Sequence, residues 1–332
     1  MTRLAIMNHC KLQTLCSRYF SSGPSLLAKD LDRCASNLVL SRLASITNTP
    51  ISRVKLTTLR ELEGTIFPQS SVNSPSRFFL PLGVYHRLRT RFGLMCCPEC
   101  LANDTAPYFR RSWRFSLLGI CPIHKTPLHD HCHQCGFSYA IVRTLIGNSF
   151  RFNPQSVCLC SKCGADVRLD TTLGWYDASE REKELLIETA CNLRLLFDGK
   201  LMPLVHDACS MRSFIDVLER LSRTMVSKRH GAGVHVLQKA VYSAAGINAP
   251  NTATENLLER FSPAVRMKAV AAAYWLLSDW PSRLERIDQK TPLWSSALIQ
   301  NIHRIPSWYG EPIYRICYRP LASSQAKRAK AV

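Results

Sequence analysis

The chain of 332 residues is short of acid: 24 Asp and Glu stand against 43 Lys and Arg, a formal net charge of +19. Acids this sparse form no evident carboxylate triad for a metal. The positive excess points to an anionic partner, whether nucleic acid, an anionic surface or an acidic protein. Long apolar runs are also missing, and the stretch Val270–Leu277 falls far short of the ~18 residues that span a bilayer. No apolar leader with a small-residue cleavage site lies near Met1, so no secretory signal is expected. Residues 1–29 hold no acid, several Ser, and Arg3, Lys11, Arg18 and Lys29. That composition mimics a mitochondrial transit peptide, but no strongly amphipathic helix accompanies it. H-E-x-x-H, G-x-x-x-x-G-K-[ST] and G-x-S-x-G are absent, which removes the motif-borne routes to a zinc protease, a P-loop NTPase or an α/β-hydrolase. No repeat at a solenoid period is present. Apolar residues are not lacking: at 46% they suffice for a real core and exclude wholesale disorder.

Cysteine is abundant and uneven. Nine of 15 lie between Cys96 and Cys163, whereas Cys10, Cys16, Cys34, Cys191, Cys209 and Cys317 are scattered without ligand spacing and read as small buried hydrophobes. Two metal quartets are expected. Cys97-Pro98-Glu99-Cys100 pairs with Cys121-Pro122-Ile123-His124, and Cys132-His133-Gln134-Cys135 pairs with Cys160-Ser161-Lys162-Cys163. A tight C-x-x-C turn aims two thiolates at one point, and two such turns complete a tetrahedron around zinc. Gly136 and Gly164 supply the backbone freedom that such knuckles use. Thiolate-rich sets select zinc over hard cations. The register leaves Cys96 as an alternative to Cys97 and Cys158 as an alternative to Cys160. His129, His131 and His133 are expected to be solvent-exposed or to stand behind the ligands. Both quartets are closed by protein ligands, and no H-x-E precedes Cys97 as a zinc deaminase would need, so the metals read as structural.

Charge and periodicity divide the chain. Residues 1–95 hold 13 Lys and Arg against four acids. Ser36 can cap a helix carrying Leu38, Val39, Leu43 and Ile46. Asn48-Thr49-Pro50 breaks it, and Thr49 as cap with Pro50 at the first helical position starts a second helix carrying Ile51, Val54, Leu56 and Leu59, with Gly64 as its stop. Two helices about a short turn follow the helix-turn-helix plan, with Arg53, Lys55 and Arg60 as exposed basic residues for DNA. Arg87, Arg89 and Arg91 form either a solvated face or a phosphate-contacting stripe. Beyond Trp175 helices are predicted over Ser179–Leu196, Met211–Met225 after a Ser210 cap, Gly233–Ala245 ending at Gly246, Thr252–Phe261, and Ala264–Trp280 opened by Ser262-Pro263 and ended by Pro281. Tyr274, Trp275 and Trp280 are expected in its core. Residues 327–330 form a basic tail.

The central block resembles the TniQ/TnsD family of transposon target-selection proteins. The resemblance rests on Cys97-Pro98-Glu99-Cys100-Leu101, Pro107-Tyr108-Phe109-Arg110-Arg111-Ser112-Trp113-Arg114, Cys121-Pro122-Ile123-His124, Leu128 and Cys132-His133-Gln134-Cys135-Gly136. Asp30-Leu31-Asp32-Arg33 and the helices from Leu43-Ala44 to Leu59 with Gly64 are similar too. It covers roughly residues 28–165, because the family's proline-rich opening and Glu-Ser-Leu segment have no counterpart before Asp30. It implies target recognition without catalysis. The chain would bridge target DNA, or a CRISPR Cascade complex on DNA, to an AAA+ ATPase regulator of the TniB or TnsC kind, and so act indirectly on a transposase, with a homodimer possible. By the match, Cys97, Cys100, Cys121 and His124 form one zinc site and Cys132, Cys135, Cys160 and Cys163 the other. Trp113 falls in the core, and Arg110, Arg111 and Arg114 become candidate partner contacts.

The sequence therefore predicts a mainly α fold with small zinc-ribbon β elements and two zinc ions. A basic helix-turn-helix region is expected over residues 1–95, tandem zinc ribbons over 96–170 and a helical bundle over 171–332. A cytoplasmic, nucleoid-associated bacterial location without membrane contact goes with that reading. The alternative is a zinc-ribbon and helix-turn-helix transcription regulator on DNA.

Overall fold

The computed structural model of the chain describes residues 1–28, 30–62, 64, 67, 78–80, 94–139, 156–170, 175, 178–200, 209–228, 231–251, 258–300, 302 and 304–317. Among them the fold is mainly helical, and β structure is reduced to isolated antiparallel bridges. None of the described helices is long and apolar enough to cross a membrane.

The N-terminal helices are α1 (Thr2–Met7), α2 (Leu12–Tyr19), α3 (Leu31–Cys34), α4 (Asn37–Ile46) and α5 (Ile51–Leu56). They bury a small core of their own, including Leu12, Leu15, Cys16, Leu40 and Val54. Ser36 caps α4 as the sequence predicts, accepting from the Val39 N–H. The cap of α5 differs by one residue. The Thr49 hydroxyl donates backward to the Thr47 carbonyl, so Pro50 takes the N-cap position and Ile51 opens the helix. The apolar stripes are also narrower than predicted. Leu38, Ile51 and Leu56 are exposed, since helices this short bury one face only.

A second, larger core runs from Leu59 to Cys317 and takes in the cysteine-rich block and every later helix. These are α6 (Pro98–Asn103), α7 (Glu180–Phe197), α8 (Met211–Val226), α9 (Ala232–Ala245), α10 (Pro263–Ser278), α11 (Ser282–Lys290), α12 (Ser295–Ile299) and α13 (Ser307–Cys317). Ser179, Ser210 and Ser262 cap α7, α8 and α10 through their hydroxyls, and Gly246 closes α9 in the left-handed conformation. Of the helix predicted over Thr252–Phe261, residues 252–257 lie outside the described residues and Leu258–Arg260 is a 3-10 turn.

Helix α10 is central. It packs on α7, α8, α9 and α11, and its fully buried Ala269 and Ala271–Ala273 let those neighbours approach closely. Helix α10 ends at Ser278 with Asp279 as its C-cap, two residues short of the predicted Trp280, and Pro281 serves as the N-cap of α11. Trp280 stacks on Tyr309 of α13 at 4.8 Å, which places it in the core as expected, with Tyr274 and Trp275 partly buried against that core. The basic tail at 327–330 lies outside the described residues.

The two cores are joined by a buried cation. Arg114, 2% exposed, donates to Asp30 and Asp32 beside and within α3 at 2.9 and 2.8 Å and to the Leu80 carbonyl at 3.0 and 2.7 Å. Burial opposes its charge, but Asp32 and Asp30 more than offset this and raise its pKa. Arg111 adds a bond to the Thr58 carbonyl at 2.7 Å.

Candidate metal centres

Both predicted quartets assemble. The ligand atoms of Cys97, Cys100, Cys121 and His124 all lie within 4.8 Å of one another, as do those of Cys132, Cys135, Cys160 and Cys163. Elementary geometry tests the fit. Four ligands at zinc bond lengths of ~2.3 Å for sulfur and ~2.0 Å for nitrogen stand about 3.8 Å apart S to S and about 3.5 Å apart S to N. The Cys100–Cys121 edge is 3.6 Å, and the Nδ1 atom of His124 lies 3.4, 3.3 and 3.8 Å from the sulfurs of Cys97, Cys100 and Cys121. In the second quartet Cys132–Cys163 is 3.6 Å and Cys135–Cys160 is 3.7 Å. These edges are far longer than a disulfide bond of ~2.05 Å, and none of the fifteen cysteines is in a disulfide. The residues fit a tetrahedrally held, thiophilic metal ion.

Local backbone explains how the turns present the sulfurs. Three of the four half-sites share one knuckle. Cys121, Cys132 and Cys160 each accept from the N–H four residues on (Lys125, Gly136 and Gly164), and their own N–H groups donate to the carbonyls of Thr126, Phe137 and Ala165. The residue that closes each knuckle has positive φ: Gly136 at +64°, Gly164 at +78° and Lys125 at +56°. Glycine adopts that region freely, whereas lysine pays for its Cβ. The fourth half-site is different. Cys97 is the N-cap of α6, its sulfur accepts from the Cys100 N–H, and Pro98 sits at the first helical position.

The thiols influence one another strongly. Hydrogen bonds from Cys100 and Cys97 pull Cys121 down to about 2, while the same contacts, seen from Cys100, push that thiol far upward. Burial raises Cys160 to about 12. Burial also works on Cys163, but the Ala165 N–H and the neighbouring thiols outweigh it and bring it to about 7. Each cluster gathers ionisable sulfur that a bound cation would neutralise together.

The register left open by sequence is resolved by direction. Cys96 turns away from the first quartet, its backbone bridging to His129, and is fully buried; Cys158 is likewise buried, with its backbone tied to Val167 and Ser156. Of the three histidines expected to be exposed or to stand behind the ligands, His129 is not exposed. It is 3% exposed, and its Nδ1 lies 2.8 Å from Asp170. His131 pairs with Asp130 at 2.6 Å, and His133 lies 3.5 Å from Asp170.

The expected partner arginines fare unequally. Arg53 is exposed and Lys55 half-buried on α5. Arg60 is exposed but bonds the Ala35 carbonyl and Asn37. Arg87, Arg89 and Arg91 lie outside the described residues. Arg110 pairs with Asp104 at 2.8 Å and lies over the rings of Tyr108 and Trp113, both at 4.9 Å. Arg111 is tied to Thr58. Arg114 is corrected outright from a surface contact to a buried structural cation, because its guanidinium closes on two carboxylates inside the fold. Trp113 is in the core, as predicted.

Sequence reasoning missed Asn103, whose side-chain amide lies 3.2 Å from Nε2 of His124, and Thr126, whose hydroxyl is 3.9 Å from the sulfur of Cys97. Neither stands at a spacing that announces it.

Among curated proteins no match to the chain is found. A family comparison matches residues 1–128 to TniQ. The match begins at residue 1, so the segment before Asp30 lies inside it, contrary to the expected start near residue 28. It ends at Leu128, past the first quartet and before the second. Over these 128 residues, under half of the chain, the sequence is similar to the TniQ family.

Proposed function

We propose that the chain is a non-catalytic target-selection adaptor of a transposon, working at DNA in the bacterial cytoplasm. It would engage target DNA, or a CRISPR Cascade complex on DNA, and present an AAA+ ATPase regulator of the TniB or TnsC kind, which in turn engages the transposase. The TniQ match over residues 1–128 carries this reading. Two further features support it. Each quartet has four protein ligands and leaves no position for a reacting water, so zinc would hold the fold rather than turn over a substrate. The charge of +19 suits a nucleoprotein partner.

Helix α5 has six residues, under two turns, which is short for reading base edges in a major groove. Its Arg53 and Lys55 are better suited to phosphate or protein contact than to sequence readout.

The test is a reconstituted insertion reaction with and without this chain. Omitting it should abolish target-site preference while strand transfer by the transposase persists. Insertion that stays site-selective without the chain refutes the proposal, as does nucleic-acid cleavage or deamination by the purified chain that is restored by added zinc. A titration with salt then identifies the contact: affinity that falls steeply signals phosphates, and a flat response signals docking on protein.

A further inference from the structure

We propose that Asn103 is the positioning residue that fixes the His124 ring as a metal ligand. The inference rests on the first quartet's holding a metal ion. His124 turns Nδ1 toward the three sulfurs, at 3.3 to 3.8 Å. A ring nitrogen that gives its lone pair to a metal carries no proton, so the proton of the neutral ring sits on Nε2. Nε2 lies 3.2 Å from the end of the Asn103 side chain, on the edge of the ring opposite the metal cluster. Two N–H groups would repel there. The amide therefore presents Oδ1, with its oxygen and nitrogen exchanged by a half-turn, and accepts the Nε2 proton.

The placement is economical in chain. Helix α6 is six residues long; Cys97 caps its start, Cys100 stands in its first turn, and Asn103 is its last residue. One short element thus supplies two thiolates and the acceptor that selects the tautomer of the fourth ligand. The second quartet has four thiolates, hence no ring to orient. A purely structural Asn103, filling the end of α6, would be indifferent to which ring nitrogen faces the metal.

The experiment uses the full chain loaded with zinc. Long-range proton–nitrogen spectra of the chain with labelled histidine should show His124 metal-bound through Nδ1 and protonated at Nε2; coordination through Nε2 overturns the proposal. Zinc transfer to a colorimetric chelator gives the second readout. Asn103→Ala should speed loss of one of the two ions by about tenfold, the low end for groups behind a metal ligand, because this contact is open to solvent. Asn103→Asp keeps the acceptor and should release zinc within roughly twofold of the wild-type rate. A rate for Asn103→Ala indistinguishable from wild type, or an Asp variant as labile as the Ala variant, overturns the assignment. Should Asn103→Ala not fold, the wild-type tautomer and the Asp variant still decide. A wild-type chain that binds one zinc rather than two, with His124 unshifted, fails at the metal site itself and is distinguished by elemental analysis.

Discussion

Replacing Arg114 by alanine should unlatch the N-terminal helices while sparing the metal centres. The guanidinium is the only described side chain that bonds both Asp30 and Asp32, and it also satisfies the Leu80 carbonyl twice. Removing one partner of a fully buried ion pair costs about 3–5 kcal/mol. Here the Asp30 and Asp32 side chains keep 18% and 43% exposure, so water relieves them once the cation has gone. The lower end, about 3 kcal/mol, is therefore expected. Asp32→Asn should cost no more than about 1 kcal/mol, because that carboxylate is already well solvated. The assay is native-state amide exchange resolved by segment. A loss of about 3 kcal/mol corresponds to roughly a hundredfold faster exchange across α3 if opening is local. Exchange in α8 and α10 should hardly change, and both metals should remain bound. Unchanged exchange in α3 would refute the latch. Equal acceleration in α3, α8 and α10 would show that the two cores open as one.

Three further outcomes follow from the metal centres. Cys100→Ser or Cys163→Ser should each drop the metal content from two ions to one and expose the surrounding block to protease, because binding energy at such sites is folding energy; elemental analysis and limited proteolysis check both. Lys125→Gly should stabilise the first knuckle by about 1 kcal/mol, since a left-handed residue with a Cβ costs 1–2 kcal/mol and glycine returns part of that as backbone entropy. Slower zinc release in that variant is the measure, and faster release counts against the strain argument. Cys97 and Cys100 have raised pKa values, whereas hydrogen bonds from the same two thiols lower that of Cys121. Metal entry displaces thiol protons, so apparent affinity at the first quartet should rise with pH, by about tenfold per unit for each proton released. Competition with a chelator at pH 6.5 and 7.5 tests the sign: affinity that falls as pH rises contradicts it.

Much of the fold was legible because its signals are local. A serine three residues ahead of the N–H it accepts is visible in sequence at Ser36 and Ser210, and both of those caps form, as do caps at Ser179 and Ser262. The quartets were legible for the same reason: each half-site is a three-residue spacing, and only the pairing of half-sites is long-range. What stayed hidden depends on chain folded back from afar. Arg114 meets Asp30 across 84 positions, so its basic-aromatic surroundings made it look like surface. His129 meets Asp170 across 41 positions, and nothing near either residue announces the bond. Asn103 and His124 are 21 apart at no recognised interval. The exposed Leu38 and Leu56 misled for a different reason: periodicity marks a face as apolar but does not say that another element covers it.

The unequal reach of the two cores sets an order of assembly on the ribosome. Residues of the N-terminal core lie between Ala5 and Val54, so it can close after a short length of chain has emerged. The quartets close spans of only 27 and 31 residues, and metal can be captured next, on nascent chain. The large core must wait. It draws on Phe67 and Leu80 at one end and Ile313 and Cys317 at the other, so synthesis must reach α13 before it can be completed. Until then Phe214 and Trp280 lack their ring partners Trp308 and Tyr309, and zinc captured early would anchor the half-made protein through the interval when it is most open to aggregation.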